Sequence, residues 1–195
     1  MAPLAFSWVD QMIDKEVTFL AFADDRLVGV SLNTFINRQE FPTIFRNGFS
    51  VPNPELEMLP DYAEFIANGP FDNHKANQFD ALVDIGLAHV GRYIPSHIQR
   101  IGYGDACAVD PRFHKSGVGL ELLKQFYVRG PRDFGCEAFF AFCVASGTRQ
   151  ICLKHLGMTE AFLIPYDKFL ENGQPIYSNL YDKAEGNSVV YKEVK

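Results

Sequence analysis

The stretch that most restricts the fold is residues 137–144, EAFFAFCV, an almost unbroken apolar run of strand length. A strand apolar on both sides is buried on both, which is the signature of a parallel strand covered by helices. Upstream, residues 99–109 form another strand-like run, ending IGYGDACAV. Between the two, Val118, Leu122, Leu123, Phe126 and Tyr127 recur at helical spacing, predicting a helix over 117–129. Gly130-Pro131 is expected to stop it. Residues 103–144 therefore read as a β–loop–α–β crossover, which should be right-handed.

The flanks extend this unit. Residues 7–16 read as the tail of an amphipathic helix, with Trp8, Met12 and Ile13 on one side. Residues 17–23 and 27–32 are two β-rich runs around Asp24-Asp25-Arg26, a hairpin pattern. From 33 to 100 the chain changes character. Pro42, Pro52, Pro54 and Pro60 mark loop, a short helix is expected over 61–67, and Asn73 is placed to cap a longer one. Phe79, Leu82, Val83, Gly86, Leu87 and Val90 give that helix one buried face, and Gly91 and Pro95 end it. After the crossover come a short helix over 148–156, closed by Gly157, and two strands over 159–165 and 188–194. The expected class is α/β (α+β): a mixed central sheet with helices on both faces, in a single domain over 1–195.

Composition narrows the partners. The chain of 195 residues is 47% hydrophobic and carries a net charge of −6, with a pI near 5.3. An acidic balance argues against nucleic acid, whose phosphates reward a basic surface, and suits a small cationic or neutral substrate. No apolar run approaches the ~18 residues of a membrane span. The first ten residues lack the basic and apolar regions of a signal peptide, so a cytoplasmic location is expected. Cys107, Cys136, Cys143 and Cys152 lack C-x-x-C spacing, and the five histidines lack an H-E-x-x-H arrangement. Reduced thiols and no metal are the expectation.

The chemistry points to residues 109–123, VDPRFHKSGVGLELL. A strand ends, the chain turns at Pro111, and His114-Lys115-Ser116-Gly117-Val118-Gly119 opens a helix. Glycines at 117 and 119 let a ligand approach the backbone. The first amides of a helix lack intrahelical acceptors and sit at the positive end of its dipole, a cradle for phosphate oxygens. An ordinary strand-to-helix turn is the plain alternative. A P-loop would need Lys-Ser/Thr after the second glycine, and a dinucleotide fingerprint would need a third glycine; neither is here.

The spacing resembles the pyrophosphate loop of the GCN5-related N-acetyltransferase superfamily, Arg/Gln-x-x-Gly-x-Gly/Ala, with Val109-Asp110-Pro111 as its usual lead-in and His114 in the Arg/Gln place. Residues 146–158, SGTRQICLKHLGM, resemble that superfamily's second signature. The 33–100 insertion and the tract 164–177 are most similar to the arylalkylamine (dopamine-type) branch. The resemblance implies an acetyl-CoA-dependent N-acetyltransferase, with 101–158 as the acetyl-CoA-binding core. The cofactor would enter between two splayed parallel strands ending at Val109 and Val144, its pantetheine arm against Cys107, Ala108 and Val109. Its pyrophosphate would lie on the amides of His114, Lys115, Ser116, Gly117, Val118, Gly119 and Leu120.

By the same resemblance the Cys107 N–H is the oxyanion donor. Strand alternation puts Tyr103, Asp105 and Cys107 on one face. In the vertebrate serotonin acetyltransferases the positions of Tyr103 and Asp105 are proton-relaying histidines, so Asp105 beside Tyr103 is the candidate base; a solvated strand residue is the alternative. The tyrosine that many relatives use as acid is replaced by Leu153. Ser146 is a candidate for contact with the pantetheine or leaving thiol, or equally a helix N-cap. His74, His89, His97 and His155 read as surface or packing residues. The superfamily's first strand is expected to be missing, leaving 17–23 as an apolar edge prone to association; in the insect enzymes that segment carries a glutamate proposed as base. The phenylalanines within 35–71 can supply either an aromatic amine pocket or core. Three functions follow: acetylation of a small arylalkylamine-like amine by direct transfer, CoA binding with weak catalysis, or acetylation of a peptide amine.

Overall fold

The computed structural model describes residues 2–46, 48–52 and 54–194. Its strands are β1 (Phe19–Ala23), β2 (Arg26–Asn37), β3 (Arg100–Val109), β4 (Ala138–Cys143), β5 (Thr159–Pro165), β6 (Leu170–Glu171), β7 (Gln174–Pro175) and β8 (Gly186–Glu193). The α-helices are α1 (Ala2–Met12), α2 (Phe41–Ile44), α3 (Ala63–Ala67), α4 (His74–Val90), α5 (Val118–Phe134) and α6 (Ser146–Gln150), the last continuing as a π-helical turn over Ile151–His155.

Six strands form one sheet in the order β1-β2-β3-β4-β8-β5. Only β3 and β4 run parallel, and α5 joins them, as the crossover pattern predicted. All six residues of β4 are buried. Ala138, Phe140 and Phe142 pack on one face with Leu82, Ile85 and Val90 of α4. Phe139, Ala141 and Cys143 pack on the other with Leu123 and Phe126 of α5 and with Cys152. Residues 138–144 are apolar throughout because each face of β4 has its own helical layer. Tyr103 lies parallel to Phe140 at 4.5 Å between ring centroids, a pairing that adds about 0.5–1.5 kcal/mol to area burial alone.

Several expectations need correction. The first helix spans Ala2–Met12 and passes into a 3-10 turn over Ile13–Lys15, so the α-helix ends before 16, and Val17 is fully buried, so the first strand is 19–23. Strand β2 continues to Asn37, so the helical and loop insertion begins after 37, not at 33. Its Phe41 and Phe45 are fully buried and belong to the core. Helix α5 does not stop at Gly130-Pro131. A side-chain carbon on Gly130 would lie 2.6 Å from Phe139 Cζ, so this glycine lets the helix approach β4. The helix ends at Gly135, whose φ of 65° is the left-handed turn that terminates helices. The loop expected between the last two strands holds the β6–β7 hairpin, and β8 inserts between β4 and β5.

Candidate active site

The parallel pair is joined for only part of its length. Ile101–Gly104 of β3 face Ala138–Ala141 of β4, and there the ladder stops. Beyond it β3 continues to Val109 against β2 alone, and β4 continues to Cys143 against β8 alone. The two strands thus fork after Gly104 and Ala141. Main-chain groups of 105–109 that would bond β4 in a closed sheet point into the fork.

The fork coincides with a β-bulge. Opposite β2, Leu32 pairs with Ala106 and Asn33 with Gly104, so Asp105 is the extra residue. A bulge breaks the two-residue alternation, and this corrects the expected common face. Tyr103 packs with Phe140 and Phe142 on the α4 face, whereas Cys107 packs on the α5 face with the cluster holding Cys152. Gly104-Asp105 inside a strand-like run was the sequence signal for this break.

Asp105 and Tyr103 do come together. The Tyr103 hydroxyl and Asp105 Oδ2 are buried, and neither completes a hydrogen bond of normal geometry among the described residues. Burial raises the Asp105 carboxyl to about 6, and contact with the Tyr103 hydroxyl pulls it back only in part. Tyr103 is raised by burial first and by the neighbouring Asp105 second. A carboxyl so placed can take up and release a proton near neutral pH. Burial lifts the Cys107 thiol to about 11, which leaves it a poor nucleophile.

The glycine loop follows β3 directly. Asp110 caps the short turn Pro111–Phe113 through the Arg112 N–H. His114 Nε2 lies 3.1 Å from the Val109 carbonyl, bracing the loop on the strand end. Lys115 and Gly117 have φ of 62° and 91°. The N–H groups of His114 and Ser116 are already taken by the Pro111 and Phe113 carbonyls, so they leave the expected set of diphosphate donors, and the open run of amides begins at Gly117. The N-cap of α5 is Gly117, and no side chain caps it. Its carbonyl accepts the Glu121 N–H, but among the described residues the N–H groups of Gly117, Val118, Gly119 and Leu120 meet no acceptor. Nothing lies within 4 Å of a side-chain carbon built on Gly117, and one on Gly119 would meet only Val109 Cγ2, at 3.5 Å. The cradle is open, and it adjoins the fork.

Helix α6 begins differently. Ser146 is its first residue and Ala145 its N-cap, so Ser146 is not the cap. The Ser146 N–H donates to Asp182 Oδ2 at 2.8 Å, and the Asp182 carboxylate also accepts the Ala184 N–H. Ser146 borders a pocket on the β8 side of β4, shared with Arg149, Lys183 and Gly186. Asp182 was missed because the capping partner is remote in sequence.

Of the other four histidines, His89 bonds Ile85 and Glu57, His74 contacts Glu171, His97 contacts Glu193, and His155 is exposed. Among the described residues no group of three or more His, Cys, Asp or Glu is arranged to hold a metal ion, and no helix is long and apolar enough to cross a membrane.

The chain matches no protein-family model and no curated protein by sequence. Its fold is similar to that of solved structures. Arylalkylamine N-acetyltransferase 2 from Aedes aegypti superposes with a TM-score of 0.73 at 18% identity, over 99% of this chain and 80% of that one. The Drosophila melanogaster polyamine N-acetyltransferase, which forms N-acetylagmatine, gives 0.67 at 15%, over 96% and 79%. A NatC complex bound to Gag peptide and CoA gives 0.52 at 9%, over 100% and 80%. With its forked parallel pair and open helix terminus, the chain has the GCN5-related N-acetyltransferase fold.

Proposed function

We propose that this chain transfers the acetyl group of acetyl-CoA directly to a small primary amine held in the same complex. The carrying observation is the continuity between the β3–β4 fork and the uncapped N-terminus of α5. An extended arm fits the fork, where β3 lacks a neighbour, and a diphosphate fits the amides of 117–120, which lack acceptors. His114, Lys115 and Ser116 shape that loop, and Cys107, Ala108 and Val109 line the arm's path. Acetyl-CoA, when bound, supplies an acetyl group activated as a thioester. The main-chain N–H of Cys107 is assigned to the acyl oxygen, where a fixed donor stabilises developing negative charge.

Asp105 is the base. Its carboxylate, on the Tyr103 side of the sheet, takes the proton that an ammonium must lose before nitrogen can attack. Positioning supplies most of the remaining rate. Ser146, its main chain fixed by Asp182 and its pocket on the β8 side of β4, is given no catalytic step. Two of the proteins of similar fold are named for arylalkylamines and polyamines, and both classes offer a primary amine group.

Incubating the chain with acetyl-CoA and a panel of arylalkylamines, aliphatic polyamines and peptides, with free thiol as readout, tests this. Thiol release dependent on a small amine is expected. Acetyl-CoA binding without release on any acceptor would establish a CoA-binding protein instead. Release on peptides alone would establish a peptide acetyltransferase.

A further inference from the structure

The second signature offers leucine at 153 where many relatives carry a tyrosine, leaving the departing thiolate without an evident proton donor. A tyrosine from a different element reaches the fork. Tyr127, on α5, has a buried hydroxyl with no hydrogen-bond partner among the described residues. A side-chain carbon built on Gly104 would lie 3.5 Å from that hydroxyl, and Gly104 pairs with Ala141 in the last rung before β3 and β4 separate. The hydroxyl therefore sits at the vertex of the fork, on the α5 face and across the sheet from the Tyr103 ring. Asn33 Oδ1, 3.8 Å from the same point, already accepts the Ser31 hydroxyl.

The titratable groups around Tyr127 are the thiols of Cys107, Cys136, Cys143 and Cys152 in the same cluster, and Tyr191, Lys192 and Glu193 of β8, with which its ring lines one cavity. Burial first, then Cys152 and Cys143, holds the phenol protonated. The ring packs edge-on against Phe139 at 4.8 Å between centroids and tilted against Phe126. Phenylalanine would make those contacts equally well, and the hydroxyl adds only the cost of an unmet polar group.

We propose that Tyr127 is the catalytic acid, its hydroxyl giving a proton to the coenzyme sulfur as the acetyl group leaves. This rests on the acetyltransferase reading above. The C–N bond forms as the C–S bond breaks, the bonding pair goes to sulfur, and the Tyr127 Oη proton follows. The nitrogen releases two protons in all, through Asp105 to solvent. Tyr127 recovers one from water as products depart, so each turnover releases one net proton. Base and acid then act from opposite faces of the sheet, on either side of the bond being exchanged.

The test compares wild type with Tyr127→Phe by calorimetric binding of CoA, steady-state kinetics and ultraviolet titration of the bound CoA thiol. The variant should bind CoA within about twofold of wild type, since no binding group is lost. Its kcat should fall about 10²-fold with both KM values unchanged, the scale of losing one proton-transfer group. The bound thiol should titrate about one unit or more higher, because a thiolate loses its hydrogen-bond donor, and Tm should not fall. Unchanged kcat and thiol titration in a variant that binds CoA would overturn this assignment alone. A lowered Tm would also overturn it, by revealing a structural partner for the hydroxyl. A wild-type chain that neither binds CoA nor releases thiol would overturn both this assignment and the reading it rests on.

Discussion

The Asp182 carboxylate accepts the Ser146 main-chain N–H at 2.8 Å, across 36 residues of sequence. That bond holds Asp182 below the usual carboxylate range. It also separates the two helix N-termini beside the fork. The terminus of α6 is already met by a carboxylate, whereas that of α5 has no side-chain cap. Charge alone thus directs an incoming anion to α5. From the same loop, the Tyr166 hydroxyl donates to the Val144 carbonyl at 2.8 Å, so 166–182 grips the end of β4 at two adjacent points.

Removing the grip should loosen Ser146 without touching the α5 cradle. Asp182→Ala is expected to cost about 1 kcal/mol, the usual value of a lost cap. Asp182→Asn, which keeps an acceptor, should cost less. Denaturant unfolding measures both, and equal losses would show that the acceptor is not what matters.

Asp105 links activity and stability through one titration. Its folded value is raised from 3.8 to about 6 by burial. A carboxyl that ionises less readily when folded destabilises the fold as it is forced to ionise. The penalty is absent below about pH 3.8, grows up to about pH 6, and is complete above. Asp105→Asn should therefore gain up to about 3 kcal/mol at pH 7, while kcat/KM falls at least about 10²-fold. The wild-type rate should rise with pH through about 6. A variant less stable than wild type at pH 7 would contradict the assignment.

What the sequence made legible was whatever a local pattern specifies. The apolar run of 138–144 revealed a strand covered on both faces, and glycines after a strand end revealed an open helix start. Three things escaped. The bulge at Asp105 depends on pairing with Leu32 and Asn33, and it sends Cys107 to the face opposite Tyr103. Gly130-Pro131 looked like a helix stop because the ring of Phe139, which requires the glycine, lies on another element. Tyr127 occupied an apolar stripe position. A hydroxyl in such a place, where leucine would serve, was the available hint.

Strand β1 is one of the two outer strands of the sheet, β5 being the other, and has no charge or proline in Phe19–Ala23. Leu20 and Phe22 are 53% and 58% exposed. Free edges with apolar side chains invite pairing with a second chain, and lysine blunts them. Phe22→Lys should raise the protein concentration at which the chain self-associates, as followed by sedimentation velocity. Identical profiles for the two proteins would remove β1 as the associating edge.

The most direct measurement is a calorimetric titration of acetyl-CoA into wild type and Gly119→Glu. The substituted position is open, with Val109 Cγ2 as its sole near neighbour. An acidic residue in the first turn of a helix favours the fold by about 0.3–1 kcal/mol, so the variant should remain folded. Its carboxylate would occupy the space assigned to the diphosphate. Wild-type binding with at least a tenfold loss in the variant is the predicted result; equal affinity in both would place the diphosphate elsewhere and contradict the account.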